Sequence, residues 1–332
     1  MIAKKVDDLI ADVVALDNTP QSQTTFSDQQ IAKFMDEEMR GAIVPLVVRL
    51  REEYFVIVAP YAVDSTTTRI TIPAQAAGFR LRDIYLYDAN TGNFACKVNR
   101  INPDQIPYLY GSSVTLGFNQ VPTYYIENND IIFYPRLQQS YTAKIRYFKA
   151  PNHLYTYASC TAQVTAKLGA NQVQCDNVPT GSTAVQDWSL FTGVNGTTLD
   201  IITPQSPYNF RMSVTTGLPL VAQAIVAVPG GNVVTLTSDA YNSLQAGDYL
   251  CTNDTCAFVQ FLPFEAYELI KLRASMRILK AQGDPQNLGI TAQLYNAAAD
   301  DLASLLAPKV ENMPKKVQPR SLLGSGATRK FR

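Results

Sequence analysis

Two helical patterns, one near each end of the chain, enclose roughly two hundred residues of strand-and-turn sequence, and this layout limits the folds open to it. Residues 27–54 carry the first pattern, and 264–282 and 285–306 carry the returning pair. An amphipathic helix is stable when its apolar stripe meets another, so the two ends are expected to join in one bundle with β material inserted between them. The expected fold is α+β: a helical bundle formed by N- and C-terminal helices, inserted antiparallel β units of sandwich or barrel type, and an extended C-terminal arm.

Local signals set the boundaries. Val6, Leu9, Ile10, Val13 and Val14 recur at helical spacing before Asn18-Thr19-Pro20 ends the segment. Ser27 and Gln30 form a capping-box pattern that starts the next helix. Ile31, Phe34, Met35, Ala42, Ile43, Leu46, Val47 and Leu50 line one face of it, Asp36, Glu37, Arg40, Arg49 and Glu52 lie elsewhere, and Pro45 predicts a kink. In the returning pair, Leu269, Leu272, Met276 and Leu279 form a stripe. Gly283, Asp284 and Pro285 then supply a C-terminal stop, an N-cap and a first-turn proline. Alternation predicts strands at 54–63, 69–72, 82–87, 123–126, 130–134 and 141–147, with turns at 90–92 and 127–129. Past His153 the texture shifts to Thr, Val, Gly, Asn and Pro, which predicts a second β unit of short strands. The units expected are 1–53 and 263–307 for the bundle, 54–152 and 153–262 for the β domains, and 308–332 for the arm.

At 332 residues the chain exceeds one typical core, and 28 basic against 28 acidic side chains leave no global field to attract nucleic acid or a membrane surface. Charged residues are only 17% while Tyr (18) and Phe (14) abound, which points to a surface covered by other chains. The five cysteines are scattered and odd in number, and read as reduced thiols rather than a disulfide framework. Asp7, Asp8 and Asp12 interrupt the first apolar stretch, so it does not read as a signal peptide, and no run of about 18 apolar residues predicts a membrane span.

No catalytic constellation is visible. The single histidine, His153, lies in a linker sequence and reads as a hydrogen-bonding residue. Cys251 and Cys256 flank Thr-Asn-Asp-Thr and read as buried thiols on a hairpin, with a metal site needing further ligands. Asp7, Asp8 and Asp12 suit the positive end of a helix better than a cation. The glycines form no phosphate-binding loop. Paired carboxylates for glycoside cleavage leave no fixed spacing, so a hydrolase stays as a minor alternative. The chain reads as a non-enzyme with no cofactor, catalytic or metal residues.

The segment after residue 307 holds Lys309, Lys315, Lys316, Arg320, Arg329, Lys330 and Arg332 against Glu311. Such an arm can neutralise phosphates. Val317, Leu322, Leu323 and Phe331, spaced by Pro314, Pro319, Gly324 and Gly326, favour docking along a protein instead.

Several runs carry a resemblance: 26–40 (FSDQQIAKFMDEEMR), 43–56 (IVPLVVRLREEYFV), 72–84 (IPAQAAGFRLRDI), 132–135 (IFYP), 145–154 (IRYFKAPNHL), Gly283-Asp284-Pro285 and the Pro-Lys-Lys tail. Together they resemble phage virion structural proteins of the head-to-tail connector class, the neck adaptors. The resemblance implies a homo-oligomeric, commonly dodecameric, ring in the virion neck, assembled in the host cytoplasm. That ring would bind the portal protein above and a downstream tail protein, nozzle or tail tube, below. Genomic DNA would pass through it without sequence specificity. It also implies that the arm docks on the portal, through Lys315, Lys316, Arg320, Leu322, Leu323, Arg329, Lys330, Phe331 and Arg332. A tail nozzle or tail-terminator protein is the near alternative, and a glycan-binding decoration or fibre protein a further one.

Overall fold

The apolar stripes at the two ends of the chain meet. The computed structural model describes residues 4–16, 26–67, 69–73, 76–106, 122–137, 139–181, 184–188, 198–204, 209–217 and 219–307. Five helices build the bundle: α1 (Val6–Leu16), α2 (Asp28–Glu38), α3 (Val44–Leu50), α4 (Ala266–Gln282) and α5 (Pro285–Leu306). Helix α4 packs on α1 and α2 and also on α5, and Leu269, Ile270, Leu272, Ala274, Ile278 and Leu279 are all buried. Ion pairs fasten the same contacts: Lys271 reaches Asp12 at 3.3 Å, and Arg277 reaches Glu37 at 2.5 Å.

The expected punctuation is present. Ser27 Oγ accepts from the Gln30 amide and Gln30 Oε1 from the Ser27 amide. Gly283 adopts φ 74°, and Asp284 caps α5 by accepting from the Asn287 amide at 3.1 Å. At Pro45 the helix changes its hydrogen-bonding pattern. A π-helical turn, Met39–Ile43, precedes it, and the Val44 amide donates to Met39, five residues back. The wider turn moves the hydrogen-bond ladder by one residue just where the proline withholds a donor. The helix expected to reach residue 54 stops at Leu50, because Arg51 turns to φ −147° and a 3-10 turn, Glu52–Phe55, follows.

The first β unit is a seven-stranded sheet of β1 (Val56–Val63), β2 (Ile70–Thr71), β3 (Ala76–Asp88), β4 (Phe94–Arg100), β5 (Thr123–Glu127), β6 (Asp130–Tyr134) and β7 (Tyr141–Lys149). Its order is β1-β7-β3-β4-β5-β6-β2, antiparallel except for β4 beside β5. Ala59, Ile84, Leu86, Val98, Ala143 and Ile145 alternate onto one face and form its core. Strand β4 was not expected. Strand β3 outruns the predicted 82–87, through register shifts near Gly78 at φ 57°. The β5–β6 turn is tight because Asn128 and Asn129 take φ 49° and 67°, the left-handed pair that such hairpins require.

The second unit is a closed antiparallel barrel of β9 (Thr161–Gly169), β10 (Gln172–Cys175), β11 (Thr198–Ile202), β12 (Gln223–Gly230), β13 (Val233–Leu236) and β14 (Tyr249–Thr252). Trp188 fills it, fully buried, and donates from Nε1 to Thr252 Oγ1 at 3.1 Å. Entry and exit lie side by side: β8 (His153–Leu154) pairs in parallel with β15 (Thr255–Cys256). Beyond β15 the chain returns to the bundle core, where Phe258, Val259, Phe261 and Leu262 are buried and Ala257 accepts from the Val6 amide at 2.8 Å. The architecture is thus α+β, with a helical bundle and two inserted β units.

Candidate functional site

Helix α5 leaves much of its apolar surface uncovered. Of its 22 residues only Leu302 and Leu306 are buried. Ile290 and Leu294, four apart and therefore on one face, are 52% and 53% exposed, and Leu305 is 56% exposed. Leu16, at the end of α1, adds another half-exposed leucine and lines a cleft of about 160 Å³ with Leu272, Leu279, Ile290 and Leu294. Leu16, Ile290 and Leu294 thus form one exposed apolar patch along a cleft beside a second helix, rather than scattered surface residues.

The outer face of the sheet is a second surface, and it is chemically distinct. Register places Tyr85 opposite Lys144 on one side and Lys97 on the other. The cations lie over the rings: Lys144 Nζ is 4.1 Å from the Tyr87 centroid, and the Arg146 guanidinium is 4.9 Å from that of Tyr85. Phe94, 57% exposed, meets Tyr87 edge-on at 5.9 Å. Asp83 takes Lys97 at 2.6 Å, while among the described residues neither Lys144 nor Arg146 has an ion pair. Cations seated on rings are rigid and keep outward N–H groups for a partner. The signal was present as alternation at 83, 85, 87 and at 144, 146, but the pairing register that unites them is not written in either strand.

Where the three units join, a carboxylate is enclosed. Asp200, on β11 and fully buried, accepts from Asn152 Nδ2 (2.6 Å), the Ala222 amide (3.0 Å) and the Asp254 amide (3.1 Å). Burial pushes its pKa up while those donors pull it down. Lys149 ends β7 beside it, 1% exposed, with its ammonium 4.2 Å from the Phe210 ring centroid. Burial holds Lys149 down at about 8 against the pull of Asp200 and Asp254. A satisfied carboxylate among three segments fixes their relative position.

The residues singled out in the sequence are placed as follows. His153 Nδ1 lies 2.7 Å from Asp36 Oδ2, which matches its hydrogen-bonding reading. Asp36, assigned to the polar side of α2, is instead nearly buried and also accepts from the Leu154 amide (3.0 Å) and Arg40 Nε (3.1 Å). Asp8 accepts from the Lys5 amide at the start of α1, Asp7 reaches the Tyr157 amide at 3.1 Å, and Asp12 pairs with Lys4 at 2.6 Å. Cys251 and Cys256 are buried free thiols flanking a turn, and burial pushes the Cys251 pKa up. Among the described residues no His, Cys, Asp or Glu cluster is arranged to hold a metal, and no helix is long and apolar enough to cross a membrane.

The arm residues Lys315, Lys316, Arg320, Leu322, Leu323, Arg329, Lys330, Phe331 and Arg332 lie outside the described residues. The described chain reaches them from α5, whose last turn is tied down: Arg51 Nε donates to the Leu306 carbonyl at 2.8 Å. No protein-family model and no curated protein matches the chain.

Proposed function

We propose that this protein is a non-enzymatic phage virion component, a head-to-tail adaptor that forms a ring between the portal and the tail. The observation that carries the reading is α5, a 22-residue helix with two buried residues and with Ile290, Leu294 and Leu305 turned outward. A helix left with an apolar face is suited to pack against the next copy, and head-to-tail contact of identical copies closes a ring. The two β units are inserted between the halves of the bundle and are suited to present a face to a tail protein. Lys144 and Arg146 offer a weakly attractive surface of the kind a DNA passage tolerates.

The test is the number of copies per purified particle, by quantitative mass spectrometry against the major capsid protein. About a dozen copies would support a neck or upper-tail ring, the neighbouring nozzle and terminator positions included. Hundreds would make it a shell decoration protein, and none would sink the virion reading. Deleting 308–332 is expected to leave a folded protein that no longer binds portal, measured by co-sedimentation; undiminished binding would remove the arm from the mechanism.

A further inference from the structure

The outward face of α5 and the outer face of the sheet are complementary in charge and in length. Helix α5 contains no Lys or Arg and carries Asp300 and Asp301, both exposed. Ile290, Leu294, Ala297 and Asp301 follow one another at steps of four, three and four, so they share one stripe of the helix, and all four are exposed. Over roughly three turns, about 17 Å, that stripe passes from apolar to acidic.

The sheet face passes from apolar to cationic over the same distance. Register sets Phe94 beside Tyr87 at one end and Arg146 beside Asp83 at the other, with Lys97, Tyr85 and Lys144 in a row between them. From Phe94 on β4 to Arg146 on β7 is two strand spacings across and four residues along, a diagonal of about 17 Å. Phe94 is 57% exposed, Asp83 is taken by Lys97, and among the described residues Arg146 has no ion pair.

We propose that α5 of one copy lies diagonally across the outer sheet face of the next, with Ile290 and Leu294 on Phe94 and Tyr87 and with Asp301 beside Arg146. The helix cannot leave its own bundle to reach its own sheet, because Asp284 caps one end, Arg51 holds the Leu306 carbonyl at the other, and the Arg273 guanidinium sits 4.7 Å from the Tyr295 ring centroid between them. Helix and sheet face are different patches, so the contact is head-to-tail and leaves one of each free until a ring closes. Two other occupants fit less well. A second α5 would set Asp300 and Asp301 against their own copies with no cation on either helix. A DNA duplex would use Lys144 and Arg146 but not Phe94, and two phosphate contacts hold a duplex only weakly. Aromatic rings and an arginine around an exposed apolar centre are the composition of a protein contact. This pairing rests on α5 being the contact between copies, and names the surface that receives it.

Photocrosslinking of the full-length protein tests it, with benzoylphenylalanine in place of Phe94 in one copy and isotope-labelled partner copies without the probe. A crosslink from position 94 to residues 286–301 of a labelled copy is expected, and benzoylphenylalanine in place of Leu294 is expected to give the reciprocal crosslink to 83–97 or 142–146. Arg146→Glu in the copy bearing the probe at 94 is expected to lower the yield about tenfold. Asp301→Arg in the labelled copy is expected to restore it, a rescue that a misfolded chain cannot show. If position 294 attaches between copies to some other surface, the pairing is overturned while α5 remains the contact. If neither position crosslinks between copies, the role of α5 falls with it. Attachment of position 94 to an added DNA duplex in place of protein gives the face to nucleic acid and overturns the pairing as well.

Discussion

Lys149 shows how much one side chain can report about the junction of the three units. Its pKa is held down at about 8 by burial, against 10.5 for an exposed lysine. Between those values the unfolded chain binds a proton that the folded chain has released, so stability rises as pH climbs through the window; below pH 8 both states carry the proton and the slope vanishes. The full rise is about 3 kcal/mol at about 1.4 kcal/mol per tenfold. Lys149→Met is expected to remove it, and to be neutral or stabilising at pH 7.5, where the lysine is enclosed as a cation. Urea denaturation of both chains at pH 7.5 and pH 10 checks this, and a stability difference that does not change with pH would refute it. Asp36 makes the opposite point about legibility. Its place on α2 was readable, but its burial depends on β8 crossing above the helix, and no local pattern in 27–50 announces that crossing.

At the scale of elements, what was readable was what is decided within a turn or two. The capping box at Ser27, the stop at Gly283 and the Asn pair at 128 and 129 each depend on neighbours three or four residues away, and each appears as expected. Gly283 sits at φ 74° with open space where a Cβ would go. Gly283→Ala is therefore expected to cost about 1 kcal/mol through backbone conformation alone, and Gly283→Asn distinctly less, since Asn tolerates the left-handed region. Thermal unfolding of the two variants measures it, and equal losses would point to packing instead. Strand β4 escaped notice because only Val98 of its seven residues is buried, so its sequence carries almost no alternation between core and solvent. The barrel's closure was equally hidden: short strands were legible between 153 and 262, whereas the pairing of β9 with β14 is set by residues nearly ninety positions apart.

For the whole molecule, the sequence made it possible to see that the ends must meet, and the outward face of α5 is what that closure leaves over. Ile290→Asp/Leu294→Asp is expected to leave the fold intact, since both side chains are half exposed, and, if the proposed ring forms through α5, to leave the protein monomeric where the parent chain assembles. Sedimentation velocity at several concentrations checks this, and an unchanged distribution would assign self-association to another surface. The candidate site as first read, the cationic arm, and the surfaces described here, α5 and the Tyr85–Lys144 sheet face, differ because a surface is assembled by register and packing while an arm is contiguous in sequence. The meeting of the two ends also sets a timetable for synthesis. Helices α1 to α3 leave the ribosome roughly 250 residues before α5, which at about 5–20 residues per second is on the order of ten to fifty seconds. Through that interval Ile31, Met35, Ile43 and Val47 have no α4 to meet. A chain interrupted inside the barrel keeps an open core, and it also lacks Ile290 and Leu294, so translation through residue 306 is the condition for both a closed core and the apolar face that the proposed ring would use.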